Sequence, residues 1–209
     1  IGYHSAYTGK DATGEPIYDF TRPKPKIHFT GTVKLHGTNA GITLDPDGDM
    51  YAQSREQVIT TRTDNAGFAR YVEDNAFVFR DMFANIIINR DVPTGWYITV
   101  FGEWAGRGIM KGVGINNIEK SFFIFGLKAT NPNDLEDYRW LDCSILRDPM
   151  HRVYNIFDFP VYSVEVDFEH PEVAAEELEK IVAQVEKECP VADKFGFKGV
   201  GEGIVFTGE

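Results

Sequence analysis

Apolar and polar positions alternate over much of the first half of the chain. Ile27 and Phe29 alternate with polar residues, and Val33 and Leu35 bracket Lys34. A period of two predicts strand. Before it, residues 1–23 are turn-rich and polar, with Gly9, Gly14, Pro16 and Pro23, and predict a loosely structured arm or short strands. Gly37-Thr38-Asn39 reads as a turn, with Ala40 to Leu44 returning as a strand. Asp45-Pro46-Asp47-Gly48 is a stronger turn signal, followed by a short strand from Met50 to Ser54. On this reading Lys34 ends a strand in a small antiparallel set.

Helical spacing then takes over. Asp64 or Asn65 can cap a helix running through Phe68, Tyr71 and Val72. Phe77, Phe79, Met82, Phe83, Ile86 and Ile87 predict a second helix whose broad apolar face reads as core. After the break at Pro93-Thr94-Gly95 the pattern is β again. Tyr97, Thr99, Phe101 and Glu103 share one face, and Trp96, Ile98, Val100 and Gly102 share the other. Gly106 to Gly114 is a glycine-rich loop that matches neither the P-loop nor the dinucleotide fingerprint. Ser121 to Leu127, Val153 to Phe159 and Val161 to Phe168 predict strands. Pro171 suits the first position of a helix. Ala174, Leu178, Ile181, Val182 and Val185 line that helix's inner side, its acids face water, and Cys189-Pro190 ends it. Ile204 to Phe206 is the last strand. Strand pairs alternating with helices predict an α+β fold with mainly antiparallel sheets flanked by helices.

Composition narrows the picture. The 209 residues, 43% of them hydrophobic, suffice for one domain with a substantial core. No apolar run approaches a membrane span and no basic-then-apolar leader is present, so no membrane partner is expected and a cytoplasmic location is. The chain starts at Ile1 and not at Met, which reads as a trimmed N-terminus. Cys143 and Cys189 form neither a disulfide framework nor a metal-ligand spacing. A net charge of −11 argues against a simple electrostatic binder of nucleic acid. The stretch from Glu165 to Glu188 holds nine acids and two lysines, however, leaving −4 over the rest, where a basic groove still fits.

Four stretches set polar groups at strand ends among apolar residues: Lys34 to Asn39, Ser54-Arg55-Glu56, Phe101-Gly102-Glu103-Trp104 and Glu202-Gly203-Ile204-Val205. A lysine between apolar residues is partly desolvated, which favours the neutral, nucleophilic form of an amine. Gly37 would let the backbone approach a phosphate or ribose closely. Carboxylates such as Glu103 and Glu202 need partners when buried, and ion pairs with Arg55, Arg62 or Arg107 would satisfy them structurally. Together the stretches supply a nucleophile, two carboxylates for a divalent cation or ribose hydroxyls, an arginine, and an aromatic strand to stack a base. That set describes a nucleotide site.

Lys34-Leu35-His36-Gly37 resembles the K-x-[DH]-G motif of covalent nucleotidyltransferases, the ATP-dependent DNA and RNA ligases and mRNA capping enzymes. Ser54-Arg55 resembles the S-R element, Phe101-Gly102-Glu103 the F-G-E element, Ser121-Phe122-Phe123-Ile124-Phe125 the aromatic strand, and Glu202-Gly203-Ile204-Val205 the E-G-[IV]-V element. All five stand in the family's order over residues 34–205. His36, with Thr38-Asn39, resembles the RNA ligase 2 type, the nick-joining and editing branch; DNA ligases usually carry aspartate there.

The resemblance implies a nucleotidyltransferase (ATP-grasp-like ligase adenylation) fold, with residues 1–209 a single adenylyltransferase domain. Lys34 would attack the ATP α-phosphate and hold AMP. Leu35, His36 and Gly37 would belong to the nucleotide site, and Asn39 would help position phosphates. Arg55 and Glu103 would contact the ribose. Phe125 would stack on adenine, with Phe123 the runner-up on the same strand face. Glu202, with Glu103, would engage Mg²⁺ or Mn²⁺. AMP would pass to an RNA 5′-phosphate, at a nicked duplex or at RNA ends, and a 3′-hydroxyl would seal the strand. A monomer is expected. The family's last motif, a lysine pair beyond the E-G element, is absent before Glu209, as is an appended C-terminal domain. The chain is therefore expected to be a fragment of a longer ligase, or an impaired relative. The alternatives are a DNA ligase relative and a non-catalytic module that binds nucleotide or RNA ends.

Overall fold

The computed structural model describes residues 7–21 and 23–208. The predicted N-terminal arm includes residues 1–6 and 22, which lie outside the described residues. Its remainder forms an antiparallel hairpin of Tyr7–Lys10 (β1) and Pro16–Tyr18 (β2). The next two strands are consecutive in the chain but not in space. Lys26–Lys34 (β3) and Thr38–Leu44 (β4) belong to different sheets. Met50–Gln53 (β5) and Val58–Ile59 (β6) extend the sheet of β4 on one side.

On the other side of β4 stands Tyr97–Ala105 (β7), then Ser121–Asn131 (β8). Asp134–Leu141 (β9) folds back on β8, and Val153–Asn155 (β10) pairs with β8 in parallel. These strands make a seven-stranded sheet, antiparallel except at β10. Val161–Asp167 (β11) and Gly203–Gly208 (β12) flank β3 in a second, three-stranded antiparallel sheet. The α+β expectation with mainly antiparallel sheets holds.

Phe68–Asp74 (α1) and Ala76–Asn89 (α2) cover one face of the large sheet. Phe68, Phe79 and Phe83 pack there against Ile42, Val100, Phe122 and Ile124. The opposite face of that sheet carries Phe101 and Glu103. Between the two sheets, Val33, Leu35, Ala105, Phe123, Phe159 and Val191 form a second cluster. Pro171–Lys187 (α3) lays Ala174 against Val164, Val166 and Phe168 of the small-sheet side, and the short helix Pro190–Lys194 (α4) follows it.

Several expectations shift. The turn after Lys34 is Leu35 to Gly37, because Thr38 and Asn39 already pair with Trp104 and Glu103 in β4. Phe77 and Ile87 are exposed; α2 buries Val78, Phe79, Met82, Phe83 and Ile86, the stripe that 3.6 residues per turn allows. β9 lies where no strand was expected, and the strand from Val153 stops at Asn155, where a 3₁₀ turn of Ile156–Asp158 begins. Cys143 and Cys189 are free and buried, and Cys189-Pro190 ends α3 only to open α4. Among the described residues no helix is long and apolar enough to cross a membrane.

Candidate active site

Lys34 is the last residue of β3, and its neighbours Val33 and Leu35 are 2% and 7% exposed. Strand alternation therefore turns the lysine to the opposite side, away from the inter-sheet core. The side chain is half exposed. What holds it is register. Lys34 pairs across the small sheet with Gly203, which places Glu202 beside it. The Lys34 ammonium ion-pairs with Glu202, and His36 Nδ1 lies 3.2 Å from the other oxygen of the same carboxylate. Gly203 has φ +138, a conformation open to glycine and strained for other residues, so the chain can enter β12 at this point.

The large sheet delivers the second carboxylate. Asn39 of β4 pairs with Glu103 of β7, which brings Glu103 beneath the turn. Gly37 N–H donates to Glu103 Oε1 at 3.0 Å. A side-chain carbon on Gly37 would collide with the Trp104 carbonyl and the Cβ of Ala105, so glycine is required by contact as well as by the motif. Burial pushes the Glu103 carboxyl up to about 7; the Gly37 N–H opposes this, nearby Glu202 reinforces it, and Lys34 and Arg55 pull downward. The partners of the two carboxylates are thus Lys34, His36 and Gly37. Arg55 acts on Glu103 only through its field, and Arg107 instead donates to the Asn117 carbonyl.

The remaining predicted residues divide. Arg55 is exposed in the loop after β5, and Asn39 is half-buried opposite Glu103. Leu35 is core, so its side chain is not free for a ligand. Phe123 is fully buried and stacks on Tyr154 at 5.5 Å within a cluster that includes Phe159 and Phe195. Its ring has no face left for a base. Phe125 is 42% exposed. The ladder between β7 and β8 jumps there, from Phe101↔Gly126 to Gly102↔Ile124, so Phe125 is the extra residue of a β-bulge. Alternation alone could not separate these two phenylalanines.

Sequence reasoning passed over the clamp beside the turn. Asn65 Nδ2 donates to Thr38 Oγ1 at 2.8 Å. The Ala66 carbonyl accepts from the Lys120 ammonium at 2.8 Å and from Trp104 Nε1 at 3.1 Å. Ala66 has φ +54, so these two donors hold a backbone geometry that alanine disfavours. They pin the loop that carries Arg62 against the large sheet. Asp64 does cap α1, accepting from the N–H groups of Ala69 and Arg70, although Gly67 occupies the N-cap position.

Among the described residues no three or more His, Cys, Asp or Glu side chains form a metal cage. Two carboxylates at an open seam remain, and Mg²⁺ commonly takes one or two carboxylates and completes its shell with water and phosphate.

A family model described as RNA ligase matches residues 27–209. No curated protein matches the chain. Among solved structures it is similar to a lysine-to-alanine variant of Naegleria gruberi RNA ligase with ATP and Mn, at TM-score 0.54 and 17% identity over 87% of this chain and 47% of that one. It is also similar to a glutamate-to-alanine variant of the same ligase with AMP and Mn, at TM-score 0.53 and 17% identity over 87% and 46%. At that identity the likeness is one of fold, and the chain spans about half the length of those structures.

Proposed function

The chain belongs to the RNA ligase family, and on that premise we propose that it is the adenylyl-transferring domain of an ATP-dependent RNA ligase. One observation carries the reading: the Leu35–Gly37 crossover sets Lys34 beside Glu202 in one sheet and Gly37 beside Glu103 in the other. A nucleophile and two carboxylates thereby face one seam, with the exposed Phe125 on the large sheet.

Lys34 Nζ attacks the ATP α-phosphorus. The ammonium first gives one proton to Glu202, which frees the nitrogen lone pair; a P–N bond then forms, the P–O bond to pyrophosphate breaks, and the nitrogen sheds its second proton to solvent. The resulting lysyl-AMP gives its adenylyl group to an RNA 5′-phosphate, and a 3′-hydroxyl then displaces AMP to seal the strand. Glu103 and Arg55 face the ribose, Phe125 stacks on adenine, Asn39 orients phosphates, and His36 braces Glu202. Glu202 and Glu103 would hold Mg²⁺ or Mn²⁺; bound there, the cation neutralises charge on the phosphates. The Naegleria ligase structures hold ATP or AMP with Mn, which supports the pairing of nucleotide and cation.

The test is incubation with Mg²⁺ and ATP labelled at the α-phosphate. Covalent label on the protein that disappears in Lys34→Ala is the expected result. Absence of label in the full natural chain refutes the enzymatic reading and favours a module that only binds nucleotide or RNA ends.

A further inference from the structure

Away from Lys34 and its carboxylates, the open face of the large sheet carries a row of aromatic rings. Phe101 lies two residues before Glu103 on β7 and therefore on the same face. Its cross-strand neighbours are glycines on both sides, Gly41 of β4 and Gly126 of β8; Gln53 lies over the first and Trp140 over the second, and the Phe101 ring between them is half-buried. Beyond Gly126 stands Trp140 of β9, 61% exposed, with its ring centroid 5.8 Å from that of Phe101. A side-chain carbon on Gly126 would lie 3.2 Å from the indole, so the glycine lets Trp140 lie down on the sheet.

Lys128 pairs with Trp140 across the β8–β9 ladder. Its ammonium sits 4.0 Å from the Tyr138 ring centroid and 5.9 Å from that of Trp140. No carboxylate pairs with it among the described residues. A cation held against two rings offers a polyanion a positive contact on this face. Exposed rings that continue the face of a candidate site also mark contact with something flat and apolar. An unpaired nucleic-acid strand meets both demands, since every base offers a π-face and every nucleotide a phosphate. A duplex does not, because its bases already stack on one another.

We propose that Phe101, Trp140 and Tyr138, with the Lys128 ammonium between the rings, form a stacking platform for unpaired bases of the RNA strand near the end being joined. The identity of the polymer rests on the RNA ligase reading above. Through Lys128 and Thr99, Trp140 lies two strands and four residues from Glu103, roughly 16 Å across the sheet by strand spacing and rise.

The experiment measures binding of a labelled, short single-stranded oligouridylate without a 5′-phosphate by fluorescence anisotropy, alongside quenching of tryptophan emission. Trp140→Ala is expected to weaken binding about tenfold and Trp140→Phe to keep most of it while losing the quenching. Lys128→Gln is expected to weaken binding and flatten its salt dependence. Wild-type binding by both Trp140→Ala and Lys128→Gln overturns the proposal. So does weakened ATP binding with RNA binding unchanged, which would make the rings part of the nucleotide pocket. A concentration-dependent dimer abolished by Trp140→Ala, again with RNA binding unchanged, overturns it in favour of a protein contact. Covalent labelling of Lys34 is read separately, so a failure of the ligase chemistry leaves the binding result intact and distinguishable.

Discussion

Gly37 donates its backbone N–H to Glu103 across the seam between two sheets, at 3.0 Å. The bond ties the turn that carries the candidate nucleophile to a largely buried carboxyl whose proton is held up to about 7. Each of these facts has a measurable consequence.

The first concerns pH. Glu103 holds its proton to higher pH in the folded protein than in the unfolded chain, where the ordinary value is 4.5. Stability from this group is therefore present below about pH 4.5 and is lost as pH rises through about 7. In Glu103→Gln the amide oxygen still accepts from Gly37 and the loss disappears. The variant should match wild type near pH 4 and exceed it at pH 8 by ~2 kcal/mol, or roughly 5 °C in melting midpoint. Parallel melting curves across that range would contradict the buried carboxyl.

Lys34 and Glu202 separate chemistry from stability. Their ion pair is partly exposed, and such pairs contribute ~0–1 kcal/mol. Lys34→Ala and Glu202→Ala should each abolish covalent labelling with little change in melting midpoint. Glu176→Ala, on the solvated face of α3, should label normally. Equal loss in Glu202→Ala and Glu176→Ala would point to a general stability effect.

Phe123 and Phe125 should behave oppositely. Phe123 is fully buried, and truncation of such a ring to alanine typically costs ~3–5 kcal/mol. Phe125→Ala removes a half-exposed ring and should cost under ~1 kcal/mol, while weakening ATP binding several-fold through lost base stacking. Calorimetric unfolding together with nucleotide titration reads both. Unchanged ATP binding in Phe125→Ala would remove it from the site.

At Gly37 the constraint is contact. Alanine there meets the Trp104 carbonyl and the Cβ of Ala105, so the turn must move and the bond to Glu103 must lengthen. Gly37→Ala should lower stability by ~1–3 kcal/mol and abolish labelling. It should also erase the pH-dependent difference from Glu103→Gln, because both depend on the same seam. A variant with wild-type stability would show the approach to be less close than described.

Much of this was legible in the chain itself. The alternation through β7 put Phe101 and Glu103 on one face, and the structure keeps them there. Pro171 opens α3, and Val33 and Leu35 turn inward so that Lys34 turns out. These are local matters, decided by a period of two or 3.6 and by one proline. The motif order likewise grouped Lys34, Glu103 and Glu202, residues that lie at one turn in the fold.

Other features depend on which strand lies beside which. That β3 and β4 part at Leu35 into different sheets follows from their pairing with β12 and β7, partners more than fifty residues away in sequence. The bulge that buries Phe123 and exposes Phe125 exists only in the ladder between β7 and β8. β9, with Asp134-Leu135-Glu136-Asp137-Tyr138-Arg139-Trp140, shows partial alternation after the Asn131-Pro132-Asn133 turn, yet it is a strand because β8 offers it an edge. The sequence by itself determined the chemistry available and the faces on which it sits, since both are properties of short segments. The tertiary structure alone decided the partners of Lys34, the raised proton affinity of Glu103 and the openness of Phe125, since register, burial and bulges arise between segments.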